Sequence, residues 1–243
     1  MAKDNNLKDL LTDVADAIRE KKGTTELINP QDFGEEIRGI ESGGGECSLL
    51  ISDALYDNTG DGIRNLTDIV VTEGVTSLIY GAYRHCTITS IKLPSSLTTL
   101  EDYAFNSINK LKELNIPDSV TSIGSYCFQA SKIPVINLPR NLTTLKNSAF
   151  ESFQTNSPMI VPPTLTSIPT NAWAYINGVP YYSFFEHTTV PTLANTTAMG
   201  RNTDTTPIYV PDALYDEWIN ATNWSALASR IVKASDFKKQ NNE

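Results

Sequence analysis

Side chains able to do nucleophilic, acid–base or metal chemistry are few in this sequence, and they are scattered. The two histidines, His85 and His187, have no nucleophile or second ligand at a hydrolase or zinc spacing. Three cysteines, Cys47, Cys86 and Cys127, cannot all pair, and none falls in a C-x-x-C arrangement. No GxSxG, P-loop or GxGxxG run occurs. The nearest approach to ligand geometry is Asp57-Asn58-Thr59-Gly60-Asp61-Gly62 with Asn65 and Asp68 beyond it. It echoes a calcium loop, with oxygens at the alternating ligand positions and glycine at the sharp turn. Threonine at the third position, a short aspartate at the last and no clear flanking helices make a tight turn the stronger reading. The sequence therefore predicts no catalytic residue, no cofactor and no metal, and leaves calcium at Asp57–Asp68 as a weaker alternative.

Charge narrows the partners. Over 243 residues the formal net charge is -9, and the 19 Lys and Arg are dispersed. A nucleic-acid surface needs a concentrated basic face to neutralise phosphates, so none is expected. No apolar run approaches the roughly 18 residues of a membrane span, and the first residues are charged where a secretory signal carries an apolar core. The expectation is a chain made in the cytoplasm, without membrane insertion.

What organises the chain is a repeat. The segments LPSSLTTLEDYAF, IPDSVTSIGSYCF, LPRNLTTLKNSAF and VPPTLTSIPTNAW align on Pro94, Pro117, Pro139 and Pro162, and VTEGVTSLIYGAY supplies an earlier copy on Thr72. Successive anchors stand 22 or 23 residues apart. Three residues past each anchor lie Val75, Leu97, Val120, Leu142 and Leu165; six past lie Leu78, Leu100, Ile123, Leu145 and Ile168. At the tenth and eleventh come a small residue and an aromatic: Ala82-Tyr83, Ala104-Phe105, Cys127-Phe128, Ala149-Phe150 and Ala172-Trp173. Each copy therefore predicts a strand ended by proline, a turn, a second extended piece and a turn or two of helix. The Thr-Ser/Thr pairs after the third position, such as Thr98-Thr99 and Thr143-Thr144, predict hydroxyl ladders. A unit this short cannot bury its own apolar face, so the copies must stack into an α/β solenoid of about five repeats.

This pattern resembles the BspA-like leucine-rich repeats of bacterial surface proteins and some bacteriophage proteins, over roughly residues 66–232. The resemblance implies adhesion or interaction without catalytic residues. Before the repeats, residues 47–65 are expected to cap the core. After them, register is lost in an aromatic stretch holding Tyr175, Tyr181, Tyr182, Phe184 and Phe185, read as a degenerate sixth copy or as a platform for sugar rings or a partner. A terminal helix is expected with Asp212 as N-cap and Leu214, Trp218, Ala221 and Leu227 on one stripe, and a polar tail from residue 236.

At the other end, Leu7, Leu11, Val14 and Ile18 recur at helical spacing, Gly23 stops that helix, and Phe33 and Ile37 follow on a second helix capped by Asn29 and Pro30. A helical hairpin over 1–41, joined by the linker 42–46, is marginal alone and needs cover. Its segment around Ala15–Arg19, Lys22–Thr24, Pro30, Asp32 and Phe33 resembles N-termini of phage tail, baseplate and fibre proteins. That resemblance implies a virion structural protein, attached to other virion proteins through residues 1–41 as a homo-oligomer or part of a larger assembly. The alternative is a bacterial cell-surface or secreted adhesin. In either setting the expected ligand is a host surface protein or glycan, met by Lys92, Asn115, Asn137, Tyr181 and Tyr182.

Overall fold

The structure, a computed structural model, describes residues 68–200 and 204–241. The predicted hairpin with its attachment side chains, the linker, the N-terminal cap and residues 57–67 of the candidate calcium loop lie outside the described residues.

Alternation of one apolar residue between two polar ones makes a short strand with one buried face. Before the anchors this gives β1 (Asp68–Val70), β3 (Ser90–Lys92), β5 (Glu113–Asn115), β7 (Val135–Asn137) and β9 (Met159–Ile160). Past the anchors lie β2 (Ser77–Leu78), β4 (Thr99–Leu100), β6 (Ser122–Ile123), β8 (Thr144–Leu145) and β10 (Ser167–Ile168). All pair in parallel with equivalent positions of adjacent copies: β1 with β3, β5 with β7, and β2, β4, β6 and β8 in one run. Between the two strands the anchor carbonyl closes a turn, accepting the amide three residues on, as in Leu97 to Pro94 at 3.2 Å and Val120 to Pro117 at 3.0 Å. Proline thus ends the first ladder with its missing N–H and starts the turn with its carbonyl.

The hydroxyl ladders are present where Thr98 and Thr143 donate Oγ1–H to the carbonyls of Thr76 and Thr121, at 3.0 and 3.2 Å. A second clip sits just after the anchors: the Glu73 carboxylate accepts from the Ser95 amide at 3.1 Å, and Asp118 from the Arg140 amide at 2.9 Å.

The third segment of each copy departs from expectation. It forms no α-helix; two residues in each copy, nine and thirteen past the anchor, take left-handed backbone. These are Gly81, Tyr103, Tyr126, Ser148 and Asn171, and His85, Ser107, Ala130, Ser152 and Tyr175, with φ between 55° and 66°. The conformation aims alternate amides out along the stack. Tyr83 donates to Ala104, Phe105 to Cys127, Phe128 to Ala149 and Phe150 to Ala172, at 2.7–2.9 Å, while the residues between bond three back within their own copy. A left-handed non-glycine residue costs roughly 1–2 kcal/mol. Each contributes to a net hydrogen bond of about 1 kcal/mol and fixes a buried aromatic contributing about 2–3 kcal/mol, so the segment is stable only when stacked.

The stack advances by one strand spacing per copy, about 4.8 Å. Equivalent rings therefore meet face to face: Tyr83–Phe105, Phe105–Phe128 and Phe128–Phe150 centroids lie 5.5, 5.3 and 4.9 Å apart, and Phe150–Trp173 6.2 Å. With the aliphatics three and six past the anchors they form one apolar core.

The stack continues past the copies that the motif marks. β11 (Tyr182–Ser183) pairs with β9, and β12 (Thr192–Leu193) with β10. Trp173 donates to Ala198, so Ala198-Met199 occupy the small and large core positions of a sixth copy. β13 (Ile208–Val210) and β14 (Ile231–Lys233) extend the first ladder twice more. Between them Pro211 is again an anchor, but the predicted continuous helix is broken. A 3-10 turn at Asp212–Leu214, α1 (Tyr215–Asn220) and a second 3-10 turn at Ser225–Arg230 replace it, because Ala221 turns extended with ψ 150°. Asp212 does not cap that helix; its Oδ1 accepts the Ser235 amide at 3.0 Å, repeating the clip of Glu73 and Asp118. The expected polar tail is a helix, α2 (Ala234–Asn241).

The left-handed positions give a direct test. Gly81→Ala places a methyl where the nearest atom is an ordinary 3.8 Å away, so strain alone acts, and stability is expected to fall by about 1 kcal/mol. Ala130→Gly at the exposed second left-handed position is expected to raise it by up to about 1 kcal/mol. Urea midpoints of the two variants would then move in opposite directions.

Candidate functional site

The first strand of each copy buries its middle residue and turns its flanks outward. In the register of the ladder, the outward row runs Val70, Lys92, Asn115, Asn137 and Ile160, with Lys92 opposite Val70 and Asn137 opposite Asn115. All five are exposed, Val70 at 72% and Ile160 at 57%. Beside them runs a second outward row of Asp68, Ser90, Glu113 and Val135. The result is an open face of amide, ammonium, carboxylate and short aliphatic groups, carried by the parallel pairs β1–β3 and β5–β7 and by β9, which pairs onward with β11. Amide and ammonium groups donate hydrogen bonds, carboxylates accept them, and the aliphatics offer contact area. Lys92, Asn115 and Asn137 are thus brought onto one surface.

The aromatic candidates are not. Tyr182 is fully buried because it occupies the inward position of β11, with its ring edge-on to Trp173 at 6.0 Å and the Arg230 guanidinium 5.9 Å from its centroid. It cannot meet a ligand; burial pushes its phenol well above the usual range. Tyr181 faces outward, but α2 lies over it. Phe237 contacts Tyr181 and Tyr209 at 5.0 Å each, and Phe185 at 5.3 Å. The aromatic stretch therefore fills the end of the stack, as the degenerate-repeat reading has it, and the platform shrinks to the partly exposed edges of Tyr181 and Phe185.

Two features were missed. Arg230, buried, joins the end of the stack by donating Nε–H to the Thr206 carbonyl at 2.9 Å and an Nη1 proton to Met199 at 2.8 Å. On the outside, Tyr80, Tyr103 and Tyr126 form a surface row with centroids 5.3 and 5.1 Å apart. The signal for that row is in the sequence, a tyrosine eight or nine past the first three anchors, but it stands beside the aromatic core position and is masked by it.

The residues with chemical potential stay apart. Cys86 and Cys127 are buried and free, and burial pushes both thiols up. His187 is buried between Phe184 and Trp218, with centroids at 5.0 and 6.1 Å. Burial holds its pKa below the ordinary value; the carbonyls of Leu165 and Phe184 near the ring only partly offset this, and neither ring nitrogen has a well-formed hydrogen bond. Among the described residues no group of three or more His, Cys, Asp or Glu is placed to hold a metal ion, and no helix is long and apolar enough to cross a membrane.

Parallel ladders repeating about every 22 residues around a leucine-, isoleucine- and aromatic-filled core define a leucine-rich repeat protein. The chain belongs to the BspA type leucine-rich repeat family, whose region matches residues 55–179 in six copies. No curated protein matches it. Among solved structures it is similar to a leucine rich cell surface protein from Faecalibacterium prausnitzii A2-165, at 16% identity and TM-score 0.30. That alignment covers 72% of this chain and 62% of the other, so the chain spans less than two thirds of that protein. Membership rests on the repeat match and not on this superposition.

His187 makes a measurable statement about pH. Its folded pKa is depressed and the unfolded chain titrates near 6.5, so below that value the unfolded state binds the extra proton. Stability is expected to be full above pH 6.5 and to fall as the pH drops below it. Comparing Tm at pH 7.5 and 5.5, wild type should lose more than His187→Phe, because carboxylate titration is common to both.

Proposed function

We propose that this chain is a non-enzymatic binding module of a bacterial cell-surface or secreted adhesin. Its repeats form a continuous solenoid whose outward strand face meets a host surface protein or glycan. The observation that carries the reading is the open row of Lys92, Asn115 and Asn137, exposed at the same position of successive parallel strands in a BspA type repeat region. Its inward partners are uniformly apolar, so the outward positions are free to differ from copy to copy and to specify a ligand.

The domain layout follows: residues 1–41 attach, 42–46 link, 47–65 cap, and the copies from 66 onward display the face. Attachment through Leu7, Leu11, Val14, Ile18, Phe33 and Ile37 needs a protein partner or further copies of this chain, since such short helices require cover. The phage reading, in which that partner belongs to a virion, rests on the resemblance of residues 15–37 alone; family membership favours the surface setting over it.

Two measurements test this. Mass spectrometry of envelope, medium and density-purified particle fractions from the native source should place the chain with the envelope or medium. Stoichiometric recovery with particles would replace the surface setting by the virion one. In binding to immobilised glycans and purified cell-surface proteins, the triple variant Lys92→Ala, Asn115→Ala, Asn137→Ala should keep its Tm, exposed substitutions being worth within about 0.5 kcal/mol each. It should lose about tenfold or more in affinity. Unchanged binding would remove the strand face from the proposal.

A further inference from the structure

The row Tyr80, Tyr103 and Tyr126 is not required by the repeat. Nine residues past the anchor the backbone is left-handed in every copy, and the fold accepts Gly81, Ser148 and Asn171 there. Those residue types tolerate that conformation, whereas a bulky aromatic is an outlier in it. Yet Tyr103 and Tyr126 sit there at φ 62° and 56°. In the first copy, where glycine holds the strained position, Tyr80 joins the row from the preceding residue. Three copies thus build the same row, exposed at Tyr80 and half-buried at Tyr103 and Tyr126, by two local routes. Backbone strain kept at a surface position points to a role other than packing.

The geometry says what the row can meet. Tyr103 and Tyr126 stack within 16° of parallel, and the Arg84 guanidinium lies over the Tyr103 ring, 5.1 Å from its centroid. Tyr80, at 63% exposure, ends the row. The rings order one another before any partner arrives, which lowers the entropy cost of binding. Arg84 makes no ion pair with a described residue, and its Nε is buried without a hydrogen-bond partner. The Asp102 carboxylate, next in sequence to Tyr103, accepts from the Ser125 amide at 2.8 Å and from Lys146 at 3.4 Å. A guanidinium with no ion pair among the described residues, beside pre-ordered tyrosines, the two residue types most enriched with tryptophan in protein hot spots, fits a carboxylate-bearing peptide surface.

We propose that Tyr80, Tyr103, Tyr126 and Arg84 form a second docking surface, separate from the outward strand face, for an acidic segment of a partner protein. This rests on the reading of the repeats as a binding module.

The test uses the full chain against an array of immobilised peptides containing Asp and Glu, beside the same peptides with Asn and Gln. Acidic peptides should be preferred, and Arg84→Gln and Tyr103→Asn should each weaken that binding about tenfold. Tyr103→Asn should keep Tm within about 4 °C of wild type, since asparagine serves the same position in another copy. The strand-face triple variant should bind the acidic peptides as wild type does. The proposal is overturned by equal binding of acidic and amide peptides, by insensitivity to Arg84→Gln, by a larger fall in Tm that makes Tyr103 structural, or by glycans being what the row retains. Ligand binding lost in the strand-face variant, with acidic-peptide binding unmoved by Arg84→Gln and Tyr103→Asn, would leave the adhesin reading standing and remove only this surface.

Discussion

The structure depends on a division of labour among backbone amides at the third segment of each copy. Left-handed residues nine and thirteen past the anchor turn alternate N–H groups toward the neighbouring copy and leave the others to close turns within their own. An isolated copy would carry the strain without the partner carbonyls, and its aromatic would face water. The copies are therefore cooperative neighbours, as nearest-neighbour coupling in repeat proteins requires. The same coupling fixes the advance per copy, and that advance decides the rest. It lets strands pair in register, stacks the rings of Phe105, Phe128 and Phe150, and lines up the acid-to-amide clips of Glu73, Asp118 and Asp212.

A stack of this kind has ends, and the C-terminal one is closed by changing what the copy contains. The sixth copy puts Met199 where the others have an aromatic. Past it the chain inserts α1 and its flanking turns between β13 and β14, burying Trp218 and Trp224 against Phe184 at 5.2 and 5.6 Å. Trp224 donates its indole proton to the Pro191 carbonyl at 2.7 Å, so the large ring enters the core with its polar atom satisfied. On the outward side, α2 covers Tyr181 and Tyr209 through Phe237. Core and strand face are thus ended by separate devices.

Much of this was legible. The anchors, the aliphatics at the third and sixth positions, and the small–aromatic pair map onto strands, turns and core, because burial selects residue type directly. The turn conformation was not. Positive φ is signalled by glycine, and only Gly81 among these positions is glycine, while Tyr103, Tyr126 and Ala130 give no such sign. Tyr182 was misjudged because the anchor after it is Phe185 instead of proline. Aligning the inward strand row, Ile136, Met159, Tyr182 and Ile208, would have placed it inside. Phe237 was lost in a polar tail because a single anchoring ring leaves no period to detect.

The two outward features differ in how they relate to the repeat, and that difference bears on function. The strand-face row costs the fold nothing: Lys92, Asn115 and Asn137 alternate with buried residues that any strand of this register must have. Its variety is what a scaffold leaves open. The tyrosine row works against the local preference of the backbone, and the fourth and fifth copies show that the backbone is content with serine or asparagine. The strand row follows from the register alone, whereas the tyrosine row sets ring stacking against backbone strain. The strand row is thus what the repeat leaves open on its surface, and Tyr103 and Tyr126 are where the chain departs from the residue types its backbone prefers.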